Sequence, residues 1–427
     1  MRILNIPSLT RGLFACFVLQ SQLAIAHLPE HYGREYIRYE GVREGDIAEP
    51  DASELTSPSA EDQSAYEKQM DGAEMSGGPY SSGLTDPLLG MGHYHRKRGS
   101  VDDALETYKR ALHLVRINDG LYSEQQLPIL REIMDIYRLL GDYQSLDETY
   151  QYYYRLRNID KMPHTQEWLD TGLEYFTWER QLYASRSVAN KRAPLMRAYR
   201  ANENMLESLK PSTEEELVWH FHLCLSQMRN LYLIMGGEPI SVSASLVSGE
   251  GPAVDAVNRE YAFVQETALH KGQNLLEGCI EYAQASPPTE LAALHLELGD
   301  WLQWNDKLRR AGEQYLQVVE LLRAAGEERL LGQWLDQPVE LPDESDLWSV
   351  GAHAAGSGRA VVEANYDVTS RGDVLRIKVS VSDEEREWQA WRIKRLLRDT
   401  HFRPRFSQGV PESVEALSRR YMLVDGH

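Results

Sequence analysis

Three cysteines in 427 residues are too few for a disulfide framework. Cations are short as well, with 45 Lys and Arg against 65 Asp and Glu and a formal net charge of -20. Affinity for a phosphate backbone needs Lys and Arg in excess on at least one face, so no nucleic-acid partner is expected. Long apolar runs are missing too. The longest, Gly12 to Leu23, falls below the roughly 20 residues that a membrane span requires. The chain also lacks a Gly-rich phosphate loop, a Gly-x-Ser-x-Gly elbow, a Cys-x-x-Cys pair and a His-Glu-x-x-His motif. His93 with His95, and His220 with His222, stand two apart, and on a helix such residues point to different sides, so no shared metal is expected. Carboxylates are plentiful, but none stands in an obviously apolar setting that would raise its pKa. These absences point away from an enzyme and imply no cofactor and no metal.

What the chain does contain begins with an export signal. Arg2 and Arg11 give a positive start, Gly12 to Leu23 is mostly apolar, and Ala24-Ile25-Ala26 is a small-x-small cleavage site. Residues 1–26 are therefore expected to be removed, leaving no stable membrane span. Arg11 leaves almost no apolar run ahead of Cys16, which argues against a lipid anchor there. Export would place Cys224 and Cys279 where they can pair in a disulfide. Their apolar neighbours (Phe221, Leu223, Leu225; Leu275, Leu276, Ile280) equally suit two buried thiols. Residues 27–82 are rich in Glu, Asp, Ser, Gly and Pro and carry no sustained apolar period, so they are expected to be a disordered acidic segment.

The chain then repeats itself. Leu88, Met91, Gly92, His95, Gly99, Ala104, Tyr108 and Ala111 recur at identical offsets as Leu130, Ile133, Met134, Tyr137, Gly141, Leu146, Tyr150 and Tyr153. Small residues fall where two antiparallel helices must approach, large ones fill the gaps between them, and a glycine closes each turn. This pattern resembles the tetratricopeptide repeat, with longer helices than the usual unit, as in kinesin light chains. The resemblance implies an α-solenoid that binds proteins. Between Met162 and Ala285 the helical period persists while the signature fades. Trp168, Gly172, Leu173, Tyr175 and Phe176 suggest a third pair, and Glu214 to Met235 and Val254 to Ala285 read as long helices with a loop from Glu238 to Pro252 between them. The offsets return at His295, Leu298, Gly299, Leu302, Asp306, Ala311, Tyr315 and Val318, with Asp306 in the place of the turn glycine. About five helix pairs over residues 83–331 are expected.

Residues 332–358, broken by Pro338, Pro342, Gly351, Gly356 and Gly358, read as a linker. After it the period changes from 3.6 to 2. Val362, Ala364, Tyr366 and Val368 form one strand, Leu375, Ile377, Val379 and Val381 a second, with the turn at Arg371-Gly372-Asp373. Ser382-x-x-Glu385 is a capping box that opens a helix with Trp388, Trp391 and Leu396 facing inward. Leu417, Tyr421 and Leu423 mark a last strand. The fold class is thus mostly α, with a small α+β tail of β-β-α-β order over residues 359–427.

That tail resembles the C-terminal domain of the TonB energy-transducer family, on Tyr366-Asp367-Val368-x-x-x-Gly372, Phe402-Arg403-Pro404 and Gly409-Val410-Pro411. The resemblance implies a Gram-negative envelope. A transducer keeps an inner-membrane span and a proline-rich spacer, and this chain has a cleavable-looking signal and no such spacer. The expected function is therefore a non-enzymatic periplasmic adaptor for unidentified protein or peptide partners. The alternatives are a component of TonB-type energy transduction or outer-membrane transport, and a hydrolase without a recognised motif. The candidate peptide groove is lined by the first helices of the repeats: Leu89, His93, Arg96 and Lys97 from one, Arg131, Asp135 and Arg138 from the next, with Asp300, Gln303 and Trp304 at the equivalent places of the late repeat. Arginine and lysine there would suit an acidic peptide. Trp388, Trp391, Phe402, Arg403 and Phe406 are the candidate interaction residues of the tail. N-terminal sequencing of the exported protein is expected to begin at His27; a Met1 start would favour the transduction alternative.

Overall fold

The computed structural model describes residues 36–38, 60–158, 164–185, 190, 192–240, 251–342, 361–381, 387–407 and 409–423. The signal segment, the capping box at Ser382 to Glu385, and residues 241–250 of the expected loop lie outside the described residues. Most of the described chain is helical. Among the described residues twelve α-helices precede the tail: α1 (Ala60–Gly77), α2 (Thr85–Lys97), α3 (Val101–Asn118), α4 (Gln126–Leu140), α5 (Tyr143–Asn158), α6 (Gln166–Ser185), α7 (Arg192–Ser208), α8 (Glu214–Gly236), α9 (Pro252–Tyr282), α10 (Pro288–Trp304), α11 (Leu308–Ala324) and α12 (Glu328–Leu335).

The repeat offsets translate into packing. On α3, Ala104, Tyr108, Ala111, Leu112 and Val115 are buried at three- and four-residue spacing, the stripe that a helix presents to its core. Gly92 on α2 exists for Tyr108: a Cβ there would lie 2.4 Å from the tyrosine ring. Gly299 on α10 makes the same room for Tyr315, at 2.6 Å. The turns agree with the offsets as well. Gly99 and Gly141 have φ of 75° and 67°, and Asp306, their counterpart, holds a left-handed φ of 58°, which a short polar side chain tolerates.

The helices fall into two rows, each bridged by side chains that skip one helix. In the even row Arg96 of α2 meets Glu132 of α4 at 2.6 Å, Arg131 of α4 meets Glu174 of α6 at 2.9 Å, and Arg180 of α6 donates to Asn230 of α8 at 3.0 Å. Tyr232 of α8 packs edge-on to Trp301 of α10. In the odd row Arg197 of α7 reaches Asp147 of α5, Arg200 of α7 reaches Glu260 of α9, and Arg310 of α11 reaches Gln273 of α9.

The tail is a four-stranded sheet of order β1-β8-β3-β4, all antiparallel, from β1 (Tyr36–Arg38), β8 (Val414–Leu423), β3 (Val361–Val368) and β4 (Val374–Val381). Helix α13 (Glu387–Arg398) covers it. Short strands β2 (Val339–Glu340) and β5 (Phe402–Arg403) pair with each other, as do β6 (Arg405–Ser407) and β7 (Val410–Glu412).

Three expectations require correction. Residues 60–82 are not disordered: α1 packs on α2, with the Tyr66 ring against Gly90, Met70 and Ala73 on the core, and Gln63 accepting from the Tyr94 hydroxyl. Its apolar stripe is three residues wide at 66, 70 and 73, too thin to register as a period. Residues 36–38 likewise form β1. The expected linker does not begin at Gly332, which lies inside α12, and Val339 and Glu340 pair with Arg403 and Phe402; residues 343–358 lie outside the described residues. Finally, Trp388 and Trp391 face solvent, at 56% and 76% exposure. Ala390, Ile393 and Leu397 take the sheet-facing positions of α13.

The tail is docked on the end of the helical array. Arg403, 1% exposed, places its Nε 3.3 Å from Asp300 of α10 and donates to the Trp334 carbonyl. Gln303 of α10 donates to the carbonyls of Arg371 and Phe402. Gly372 is required here twice over, by its φ of 87° and because a Cβ would meet both the Phe402 carbonyl and Gln303. Phe406 joins the core of the array, its ring centroid 4.9 Å from that of Tyr315. Removing one partner of a buried pair leaves an uncompensated charge, which costs about 3–5 kcal/mol. Arg403→Met is therefore expected to destabilise the protein by that amount. After cleavage at a protease site inserted between residues 343 and 360, the two wild-type fragments are expected to elute together in gel filtration and the Arg403→Met fragments to separate. Wild-type fragments that part on cutting would contradict the docking.

Candidate protein-binding site

Helix α2 carries His93, Arg96 and Lys97, and α4 carries Arg131 and Arg138, as the repeat alignment expects. Their surroundings differ from the mostly basic lining read from single repeats. Arg96 pairs with Glu132 and also lies 3.6 Å from Asp135; Arg138 pairs with Asp135 at 2.7 Å and donates to the Tyr150 hydroxyl. Arg131 grips Glu174 with both terminal nitrogens and lies over the Tyr153 ring. His93 accepts or donates at Nδ1 to the Tyr108 hydroxyl, 2.9 Å away, and Lys97 is exposed. The face is thus a belt of alternating charges. The acids were missed because Glu132 and Glu174 belong to the neighbouring unit, where they recur at the same 42-residue spacing.

The same register adds Arg180 to the position that Arg96, Arg138 and Gln303 share in the repeat alignment. Arg96, Arg138, Arg180 and Gln303 each stand 12 residues before a tyrosine or at the 42-residue repeat of that place. Arg180 is 1% exposed and donates to the Ser226 carbonyl and hydroxyl and to Asn230. Arg96 and Arg180 reach across to the next first helix, Arg138 bonds within its own pair to Asp135 and Tyr150, and at the last unit Gln303 reaches to the tail.

Beside Arg180 lies a buried ionic cluster that was also missed. Glu179 is 0% exposed, and Arg197 grips it with two hydrogen bonds of 2.7 Å while contacting Asp147. Burial, the larger effect, pushes the Glu179 carboxyl up to about 7, against the pull of Arg197. Burial opposes the Arg197 charge as well, and its two carboxylates override that and hold it above its ordinary range. The expectation that no carboxylate has a raised pKa is corrected: Glu179 sits between Trp178 and Arg180 in sequence, and only the packing of α5, α6 and α7 buries it.

Cys224 on α8 and Cys279 on α9 come together as free buried thiols. Cys279 lies 3.8 Å from His220 Nδ1, and Cys224 faces the Leu275 carbonyl. A hydrogen bond from Cys224 and the nearby His220 draw the Cys279 thiol down to about 6, while burial raises that of Cys224. Among the described residues no group of three or more His, Cys, Asp or Glu side chains could hold a metal ion. The tail candidates divide: Trp388 and Trp391 are exposed, Phe402 is buried in the tail's own core beside Tyr366, and Arg403 and Phe406 are buried against the array.

No protein-family model matches the chain, and no curated protein matches it.

The Glu179 cluster gives a pH-dependent expectation. A carboxyl whose folded pKa lies near 7 and whose unfolded pKa lies near 4.5 favours the fold below about pH 4.5 and loses that contribution as pH rises through 7. Arg197 matters most where Glu179 is ionised. Arg197→Met is expected to cost about 3–5 kcal/mol at pH 8 and clearly less at pH 5, measured by urea denaturation. An equal cost at both values would mean that Glu179 does not change charge across that range.

Proposed function

We propose that the chain is a non-enzymatic scaffold of a Gram-negative periplasm, a tetratricopeptide-like solenoid with a TonB-C-like tail that holds a protein or peptide partner. The observation that carries this reading is the continuity of the array into the tail. Each unit passes a cross-link from one first helix to the next, and the tail accepts the last of them through the Phe402 carbonyl. Array and tail are thereby fixed to one another, which suits a body whose job is to present a surface. Repetitive units that contact mainly their neighbours build extended surfaces of this kind.

The surface proposed for the partner is the even-row face around His93, Arg96, Lys97, Arg131 and Arg138. Its arginines are only partly covered: Arg96 and Arg131 keep 37% and 46% of their side chains exposed. Each can share its guanidinium between an intramolecular carboxylate and a carboxylate of the partner. Exposed pairs of this sort are each worth about 0–1 kcal/mol, so they act as a group.

The test is affinity capture from envelope extracts with the full chain and with an Arg96→Ala/Lys97→Ala/Arg131→Ala variant. The wild type is expected to retain a partner that salt weakens, and the triple variant to retain about tenfold less at unchanged helix content. Equal capture by both would move the site off this face. Failure to retain any protein above the level of an acidic control of similar charge would count against the scaffold reading itself.

A further inference from the structure

The two exposed indoles of the tail have no role in the fold described so far. Trp168, Trp178, Trp219 and Trp301 are buried, and Trp304 and Trp334 are half-buried. Trp388 and Trp391 stand apart from them, three residues apart on one side of α13, opposite the Ala390, Ile393 and Leu397 stripe that meets β4, β3 and β8. The exposed side continues along the helix through Arg395 and Arg398. After Glu387 at its start, every charge on α13 is positive: Arg392, Lys394, Arg395 and Arg398. In a chain of net charge -20 this concentration of cations is local and one-sided.

We infer that α13 seats the tail on an anionic phospholipid surface. A ridge of two indoles on a convex helix offers no cleft for a partner's side chain, but it matches a plane that needs no shape complement. Indole is favoured at the boundary between headgroups and acyl chains, where its ring is buried and its N–H stays hydrated. Basic side chains one and two turns further along meet the lipid phosphates and confer dependence on lipid charge. Among the described residues no helix is long and apolar enough to cross a membrane, so the attachment is peripheral and reversible by salt. The array, docked through Arg403 and Phe406 on other elements of the tail, is carried along with it. This inference goes beyond partner capture and does not depend on it.

The experiment mixes the full chain with vesicles of phosphatidylglycerol and phosphatidylcholine, with brominated acyl chains, and reads quenching of tryptophan fluorescence. The leader segment contains no tryptophan, so its own affinity for lipid is silent in this signal. Quenching is expected on phosphatidylglycerol vesicles, to fall at least tenfold in apparent affinity at 0.5 M salt, and to vanish in Trp388→Phe/Trp391→Phe. Arg395→Glu/Arg398→Glu is expected to bind at least tenfold more weakly while keeping both indoles. Both pairs of positions are exposed, so circular dichroism and thermal midpoint should match the wild type. No quenching by phosphatidylglycerol vesicles, or quenching that is equal on pure phosphatidylcholine, or quenching unchanged by the tryptophan pair, would overturn the inference and leave the ridge to a protein partner.

Discussion

A tyrosine hydroxyl given to an acid of the even row is the interaction around which this structure is arranged. Tyr108 donates to Glu132 and Tyr150 to Glu174, each across 24 residues and from one pair into the next, at 3.3 Å. The ring must pass between two helices to get there, which requires either a glycine opposite it, as at Gly92, or a stacking partner, as Tyr150 finds in Trp178 at 4.9 Å. An arginine then neutralises the acid, so that charge, ring and gap are fixed together. In the last unit Tyr315 donates to Asp300 of its own pair, and no further helix pair supplies the cation. Arg403 of the tail supplies it. A small α+β unit thus completes an interaction that was begun in a helical one.

Much of this was legible in the sequence wherever the information was local. The offsets of Leu88 to Ala111 located the helix pairs, their small-large contacts and the left-handed turn at Asp306, because each depends on residues within one unit. Alternation of Val362 to Val368 and Leu375 to Val381 located the paired strands β3 and β4 for the same reason. What could not be read was set by partners distant in sequence. Glu132, 36 residues from Arg96, turns a basic lining into a mixed one. Glu179 looks like a surface acid until α7 supplies Arg197. The Phe402-Arg403-Phe406 run has the composition of an exposed recognition segment, and its burial comes from the tail's own core at Phe402 and from the array at Arg403 and Phe406.

The two tryptophans of α13 were misread for a different reason. Apolar spacing says that a helix has a buried side without saying which of two candidate stripes it is. Here the smaller stripe, Ala390, Ile393 and Leu397, lets the helix approach the sheet closely, and the bulkier indoles are turned outward. Arg395 and Arg398 lie on the indoles' side and stay hydrated, which leaves Ala390, Ile393 and Leu397 to meet the sheet.

The N-terminal region touches both ends of the molecule. Strand β1 is paired to the tail at Leu423 to Tyr421, while α1, which follows it in the chain, lies against the first helix pair. Residues 39–59 join the two, and at full extension about 22 peptide steps reach roughly 75 Å. The separation of β1 from α1 cannot exceed that length, and β1 meets β8 through three paired residues. Strand β1 covers the outer edge of β8, so the sheet is closed on that side by a segment from the opposite end of the chain.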